Sequence, residues 1–228
     1  MAKTTSIEIY LEIGSTRTFA AAINWPGWSR SGRDEAAAIQ SLCDYGSRYA
    51  QVLSSTRLKF SPPPDISAFK IVERLEGNAT TDFGALSLKL PSDTEPVEAA
   101  ELKRWHKLLQ ACWDTFDKAV DSAEGHSLRK GPRGGGRDLD KIIEHVRDVN
   151  NSYLKNLGGT LKLDSEINPS EALTPIREAI LTTLDAAVKG EIPDRGPRGG
   201  LRWTPRYFVR RLAWHELDHT WEIEDRIE

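Results

Sequence analysis

Apolar and polar positions alternate over residues 6–13, so that Ile7, Ile9, Leu11 and Ile13 share one face. A period of two is the strand period. Residues 16–23 continue as a second β-rich segment, and Gly14-Ser15 between them is a hairpin signal. Trp25-Pro26-Gly27 then marks a turn. From Asp34 the spacing lengthens to three or four, placing Ala38, Leu42, Tyr45, Tyr49 and Val52 on one helical stripe. Ser31 or Gly32 can cap that helix, and Asp34 and Glu35 suit its positive end. Ser61-Pro62-Pro63-Pro64 is a stiff connector, and residues 69–75 and 85–90 read as further strands.

The second half is helical. Over residues 95–124, Leu102, Trp105, Leu109, Cys112, Phe116 and Val120 recur three or four apart, which predicts a long amphipathic helix. A basic, Gly-rich loop follows over 126–137. Asp138 caps a second helix that runs to Leu157, where Gly158-Gly159 stops it. Asn168-Pro169-Ser170-Glu171 reads as a cap with Pro at the first helical position. The third helix carries Leu173, Ile176, Ile180 and Leu184, and Pro175 leaves its start open. Thr204-Pro205 opens the last helix. Four amphipathic helices close most simply as a bundle. The Pro-rich, acidic stretch 91–98 marks a boundary. The expected architecture is therefore an α+β chain of two domains, 1–91 and 97–228.

Composition narrows the function classes. Lys and Arg total 31 against 34 Asp and Glu, a net charge of −3. That balance argues against a dedicated nucleic-acid binder, which carries basic excess. No apolar run approaches the roughly 20 residues of a membrane helix. The N-terminal residues MAKTTSIEIY lack the apolar core of a secretory signal, so the expected compartment is cytoplasmic. Cys43 and Cys112 fit free thiols rather than a disulfide framework.

Chemistry concentrates in the histidines: His106, His126, His145, His215 and His219. His215 and His219 stand four apart on the last helix, so both imidazoles project from one face and can reach one cation. His145 shares a stripe of the second helix with Ile142, Val149 and Ser152. Second and fourth helices of a bundle can face each other across the core, which gives three nitrogens and open coordination positions. A single histidine is as well explained as a core or surface residue; the pair plus a third is what raises the metal reading. His106 reads as a surface residue. Glu222 follows His219 by three and is read as a ligand, a base or the partner that orients an imidazole. Tyr153 falls near the His145 face, either as a core aromatic or as a group reaching the cavity. His215-Glu216-Leu217-Asp218-His219 also matches the zinc-protease pattern H-E-x-x-H. Against that reading, Asp218 charges the segment, few residues remain for a third ligand, and Glu216 projects about 100° away from His215.

Two loops echo each other: Gly131-Pro132-Arg133-Gly134-Gly135 and Gly196-Pro197-Arg198-Gly199-Gly200, each before a histidine-bearing helix. Arg133 and Arg198, with Lys130, Arg137 and Arg202, would give one end of the bundle a positive rim for carboxylate or phosphate groups. For any one of these arginines, solvated loop charge is the plainer account.

Residues 138–158, DLDKIIEHVRDVNNSYLKNLG, and 207–226, YFVRRLAWHELDHTWEIEDR, resemble the DinB-like (YfiT-like) family of metalloenzymes. The resemblance covers 97–228. It implies an up-down four-helix bundle with a His from the second helix and an H-x-x-x-H pair from the fourth, which His145, His215 and His219 match in order. It also implies a divalent metal, zinc foremost, with nickel, iron or manganese as alternatives. The family includes thiol-dependent transferases and isomerases, so the resemblance points to a small-molecule substrate and a low-molecular-weight thiol. Trp25–Ala36, WPGWSRSGRDEA, more weakly resembles the turn and helix start of HicB-like antitoxin domains over residues 5–75. That likeness implies a β-β-α-β domain serving as a lid, a partner-binding module or a dimerisation element, a homodimer being one outcome. The alternatives to an enzyme are a metal-stabilised binding or stress-response module without turnover and, more remotely, the zinc protease.

Overall fold

Strand β1 (Ile7–Ile13) forms where the alternation predicts it and pairs antiparallel with β2 (Thr18–Ala22), Leu11 lying opposite Ala20. Asp82 of the short helix α3 (Ala79–Phe83; α1 and α2 are described next) closes the connecting turn by accepting from the Ser15 and Thr16 amides at 3.2 and 2.7 Å. The computed structural model describes residues 6–130, 136–164 and 167–228. Two further strands, β3 (Ser29–Gly32) and β4 (Phe69–Glu76), complete a sheet of order β3-β2-β1-β4. β4 runs parallel to β1, so it needs a crossover, which α1 (Glu35–Asp44) and α2 (Gly46–Val52) fill.

Three expectations are corrected here. The segment after the Trp25-Pro26-Gly27 turn is strand β3, so the order is not a bare β-β-α-β. Because Ser31 and Gly32 belong to β3, the cap of α1 is Asp34, whose side chain accepts from the Ala37 amide. Residues 85–90 alternate like a strand yet join no ladder. The buried Glu12 carboxylate accepts instead from the Ser87 and Leu88 amides at 3.1 Å and from the Thr81 hydroxyl at 2.5 Å. Within this unit Trp28 is wholly buried, stacked on Tyr49, and donates to the Leu42 carbonyl at 2.9 Å.

The chain divides into two compact units, Met1–Leu90 and Pro91–Glu228. The second contains four long helices: α4 (Ala99–Ala123), α5 (Leu139–Leu157), α6 (Pro169–Val188) and α7 (Pro205–Glu224). α4 lies along α7, α5 lies along α6, and α5 also meets α7. Asp138 caps α5, Asn168 caps α6, and Gly158 ends α5 in the left-handed conformation at φ 116°. Pro169 occupies the first turn of α6, and Pro175 is accommodated inside it. α4 starts at Ala99, not at 95, because residues 91–94 form a 3₁₀ turn. That turn buries Asp93 against Arg210 of α7, with the Arg210 Nε 3.1 Å from one carboxylate oxygen. α4 and α5 each show one apolar face, whereas α7 is buried on nearly every side from Tyr207 to Trp221. No helix among the described residues is long and apolar enough to cross a membrane.

Candidate metal centre

The meeting of α5 with α7 brings three imidazoles together. One ligand atom each from His145, His215 and His219 lies within 4.8 Å of the others. The Nε2 atoms of His145 and His215 face each other at 3.2 Å. Two nitrogens bound tetrahedrally to zinc at about 2.05 Å stand roughly 3.3 Å apart, so this spacing suits a shared cation. The His145 ring centre is 5.1 Å from that of His215 and 4.9 Å from that of His219.

Local structure sets the direction of each ring. His219 Nδ1 lies 2.8 Å from Glu222 Oε2. An ionised carboxylate only accepts, so Nδ1 carries a proton and Nε2 is the ring atom left to face a cation. Arg226 donates at 2.6 Å to the other Glu222 oxygen and fixes the carboxylate in turn. Burial works against the charge on Glu222, but the His219 and Arg226 hydrogen bonds outweigh it and hold the pKa below the usual value. Glu222 therefore orients a histidine, and it is not one of the three converging donors. The Nδ1 of His215 is buried without a hydrogen-bond partner.

Electrostatics keep two of the donors, His145 and His215, neutral. Burial, then His219 and Arg137, lower the pKa of His145 to about 4. Burial, then His219 and His145, push His215 well below its usual value. Neutral imidazoles with convergent lone pairs are what a divalent cation requires. The residues present fit such an ion.

Tyr153 is buried on α5, its ring centre 5.8 Å from that of His215 and 4.8 Å from that of Trp203. Burial raises its pKa, so it is a phenol near neutral pH, and its hydroxyl accepts from Arg211 at 3.0 Å. Arg198 is exposed in a tight hairpin where Gly196 donates to the Gly200 carbonyl. None of the hydrogen bonds or ring contacts of the histidine cluster involves it. Arg133 lies outside the described residues. His106 stands on the flank of α4, 2.8 Å from Asp185 of α6, apart from the cluster.

Glu216, the central acid of the H-E-x-x-H pattern, faces the core. It is wholly buried and accepts from Asn150 at 3.1 Å and from Arg177 at 3.3 Å. Arg177 also pairs with Asp117 at 2.7 and 2.8 Å. One residue from each long helix thus joins a single polar network, and Glu216 is committed to it. Sequence reasoning missed this network, and it missed Arg211. The signal for Arg211 was present, because it precedes His215 by four and so continues the His215, His219 stripe.

Comparison of the chain with family models, curated proteins and solved structures returns no match.

Proposed function

We propose that the second unit is a metal-dependent enzyme of the DinB-like type, an up-down four-helix bundle that activates a small thiol for transfer. The observation that carries the reading is the convergence of His145, His215 and His219 from two helices onto one point. Three imidazole donors leave coordination positions for an outside ligand, whereas a structural zinc site is closed by four protein ligands. Glu222, the nearest acid, is already engaged by His219 and Arg226, which favours the open site over the closed one. A bound divalent cation would supply Lewis acidity, drawing down the pKa of a thiol or water beside it. The chain's own residues do the rest. Glu222 fixes the tautomer of His219, and Tyr153, with Trp203, walls one side. With Glu216 held in the core, the protease reading lacks its general base. In the same reading the first unit is a HicB-like accessory module that binds a partner or a second copy of the chain, and the compartment is the cytoplasm.

The test is metal content followed by a spectrum. His145→Ala, His215→Ala and His219→Ala should each lose bound zinc, and His106→Ala should retain it. Cobalt-loaded protein titrated with 2-mercaptoethanol should show a saturable sulfur-to-metal charge-transfer band, absent in His145→Ala. Equal zinc in all four variants, or no band with any small thiol, overturns the reading.

A further inference from the structure

Arg211, His215 and His219 follow at intervals of four along α7 and form one stripe. The Arg211 guanidinium carbon lies 4.9 Å from the Trp214 ring centre and 5.5 Å from that of Tyr153. One terminal nitrogen donates to the Tyr153 hydroxyl. The other, together with Nε, is buried and has no hydrogen-bond partner. Among the described residues no carboxylate pairs with this charge. Glu222 is taken by His219 and Arg226, and Glu216 by Asn150 and Arg177. The aromatic faces offset part of the cost of a sequestered cation, but not that of unmet N–H donors. Arg137 places a second positive charge close enough to be felt by His145 and His215. An imidazole brings no negative charge, so a divalent cation among the three would add positive charge and no counter-charge. The wall of the site is left with an excess of positive charge and unused donors, and no acceptor among the described residues matches them.

We propose that Arg211 binds a carboxylate on the small molecule that enters the three-histidine site, which makes the substrate class a carboxylate-bearing thiol or electrophile. This rests on the metal reading above. Tyr153 acts as a positioning residue by holding one edge of the guanidinium, and the unpartnered nitrogens are the ones left for the ligand. The other positively charged candidates serve less well: Arg198 is exposed in its hairpin, and Arg177 is held by Asp117 and Glu216.

The experiment uses the full chain loaded with zinc and two probes of similar size, 3-mercaptopropionate and 2-mercaptoethanol, titrated by calorimetry. Wild-type protein should bind the acid more tightly than the alcohol by roughly ten- to hundredfold, the value of one or two hydrogen bonds to a charged group. The preference should shrink as salt is raised. Arg211→Met should lose most of the preference while keeping its zinc, and Arg211→Lys should keep part of it. Comparing the ratio of affinities between proteins cancels differences between the thiols themselves. Equal binding of the two probes by zinc-loaded wild type overturns the proposal without any variant, as does an unchanged preference in zinc-replete Arg211→Met. If wild type takes up no zinc, the metal reading and this proposal fall together, so zinc content tells the two failures apart.

Discussion

Two glutamates six residues apart on α7 hold different positions, and substitution should separate them. Glu216 is wholly buried in the network of Asp117, Asn150 and Arg177, and burial raises its pKa against the pull of Arg177. Removing it strands Asn150 and leaves a cavity, so Glu216→Ala should cost about 3 kcal/mol, near the range for breaking a buried pair. Urea unfolding reads that loss. Glu222 is partly exposed, and among the described residues its hydrogen bond to the cluster is the one with His219. Glu222→Ala should therefore spare most of the stability and weaken zinc affinity by about 10- to 100-fold, as for other residues that orient a metal-bound histidine. A Glu216→Ala protein that is fully stable but inert would restore the protease assignment. At this scale the histidines were legible because an interval of four on one helix is a local geometric fact. The partners of Glu216 were not, because Asn150 and Arg177 come from other helices and no spacing connects them. Glu222 was legible as a neighbour of His219, but the contact of Arg226 with its second oxygen was not.

Between elements, the glycines that end helices permit a controlled comparison. Gly158 closes α5 at φ 116°, and a Cβ there would lie 2.7 Å from Ile192 and 3.0 Å from Arg202. Gly190 also has positive φ, at 74°, but has open space around it. Gly190→Ala should cost about 1 kcal/mol from the backbone alone, and Gly158→Ala clearly more, about 2–3 kcal/mol, from backbone and crowding together. Equal losses in melting experiments would show that Ile192 and Arg202 move aside freely. The β1–β2 turn offers a pH test. The Thr16 amide, first among its partners, holds the Asp82 pKa below the usual carboxylate value. A folded pKa below the unfolded one stabilises the protein above the unfolded pKa, and that contribution fades as pH falls through the folded value. Asp82→Asn should thus be less stable than wild type near neutral pH, with the gap closing below about pH 4. A gap constant down to about pH 3 would mean the carboxylate charge contributes nothing to the turn. Periodicity revealed α4, α5 and α6 because each buries one face. It failed for residues 85–90, where a strand-like pattern is satisfied by the Glu12 carboxylate instead of a ladder. It also missed β3, whose four residues follow a turn and lack alternation.

Across the whole chain, every group assigned to the metal centre and its supporting network belongs to the unit Pro91–Glu228. A fragment with those bounds should retain helical circular dichroism and zinc uptake. Where the cut is made matters, and the reason is physical. Residues 91–98 read from sequence as a Pro-rich connector, yet this stretch is tied to α7. Asp93 is 3% exposed and forms an ion pair with Arg210, itself 9% exposed. Arg206 donates to the Glu95 and Pro96 carbonyls at 3.3 and 2.8 Å and pairs with Glu101. Composition could not reveal this, because Pro and acidic residues mark linkers on average, while the partner that buries Asp93 lies far along the sequence. A fragment beginning at 97 keeps all three histidines but leaves Arg210 buried without its counter-charge. Stranding one partner of a buried pair costs about 3–5 kcal/mol, so the 97–228 fragment should be less stable than 91–228 by roughly that amount. Asp93→Asn in the full chain should reproduce part of the loss, since the amide still accepts one hydrogen bond but carries no charge. The two fragments unfolding at the same urea concentration would mean that the Asp93–Arg210 pair contributes no net stability. In that case the stable unit would begin at residue 97, with the Arg206–Glu101 pair holding its start.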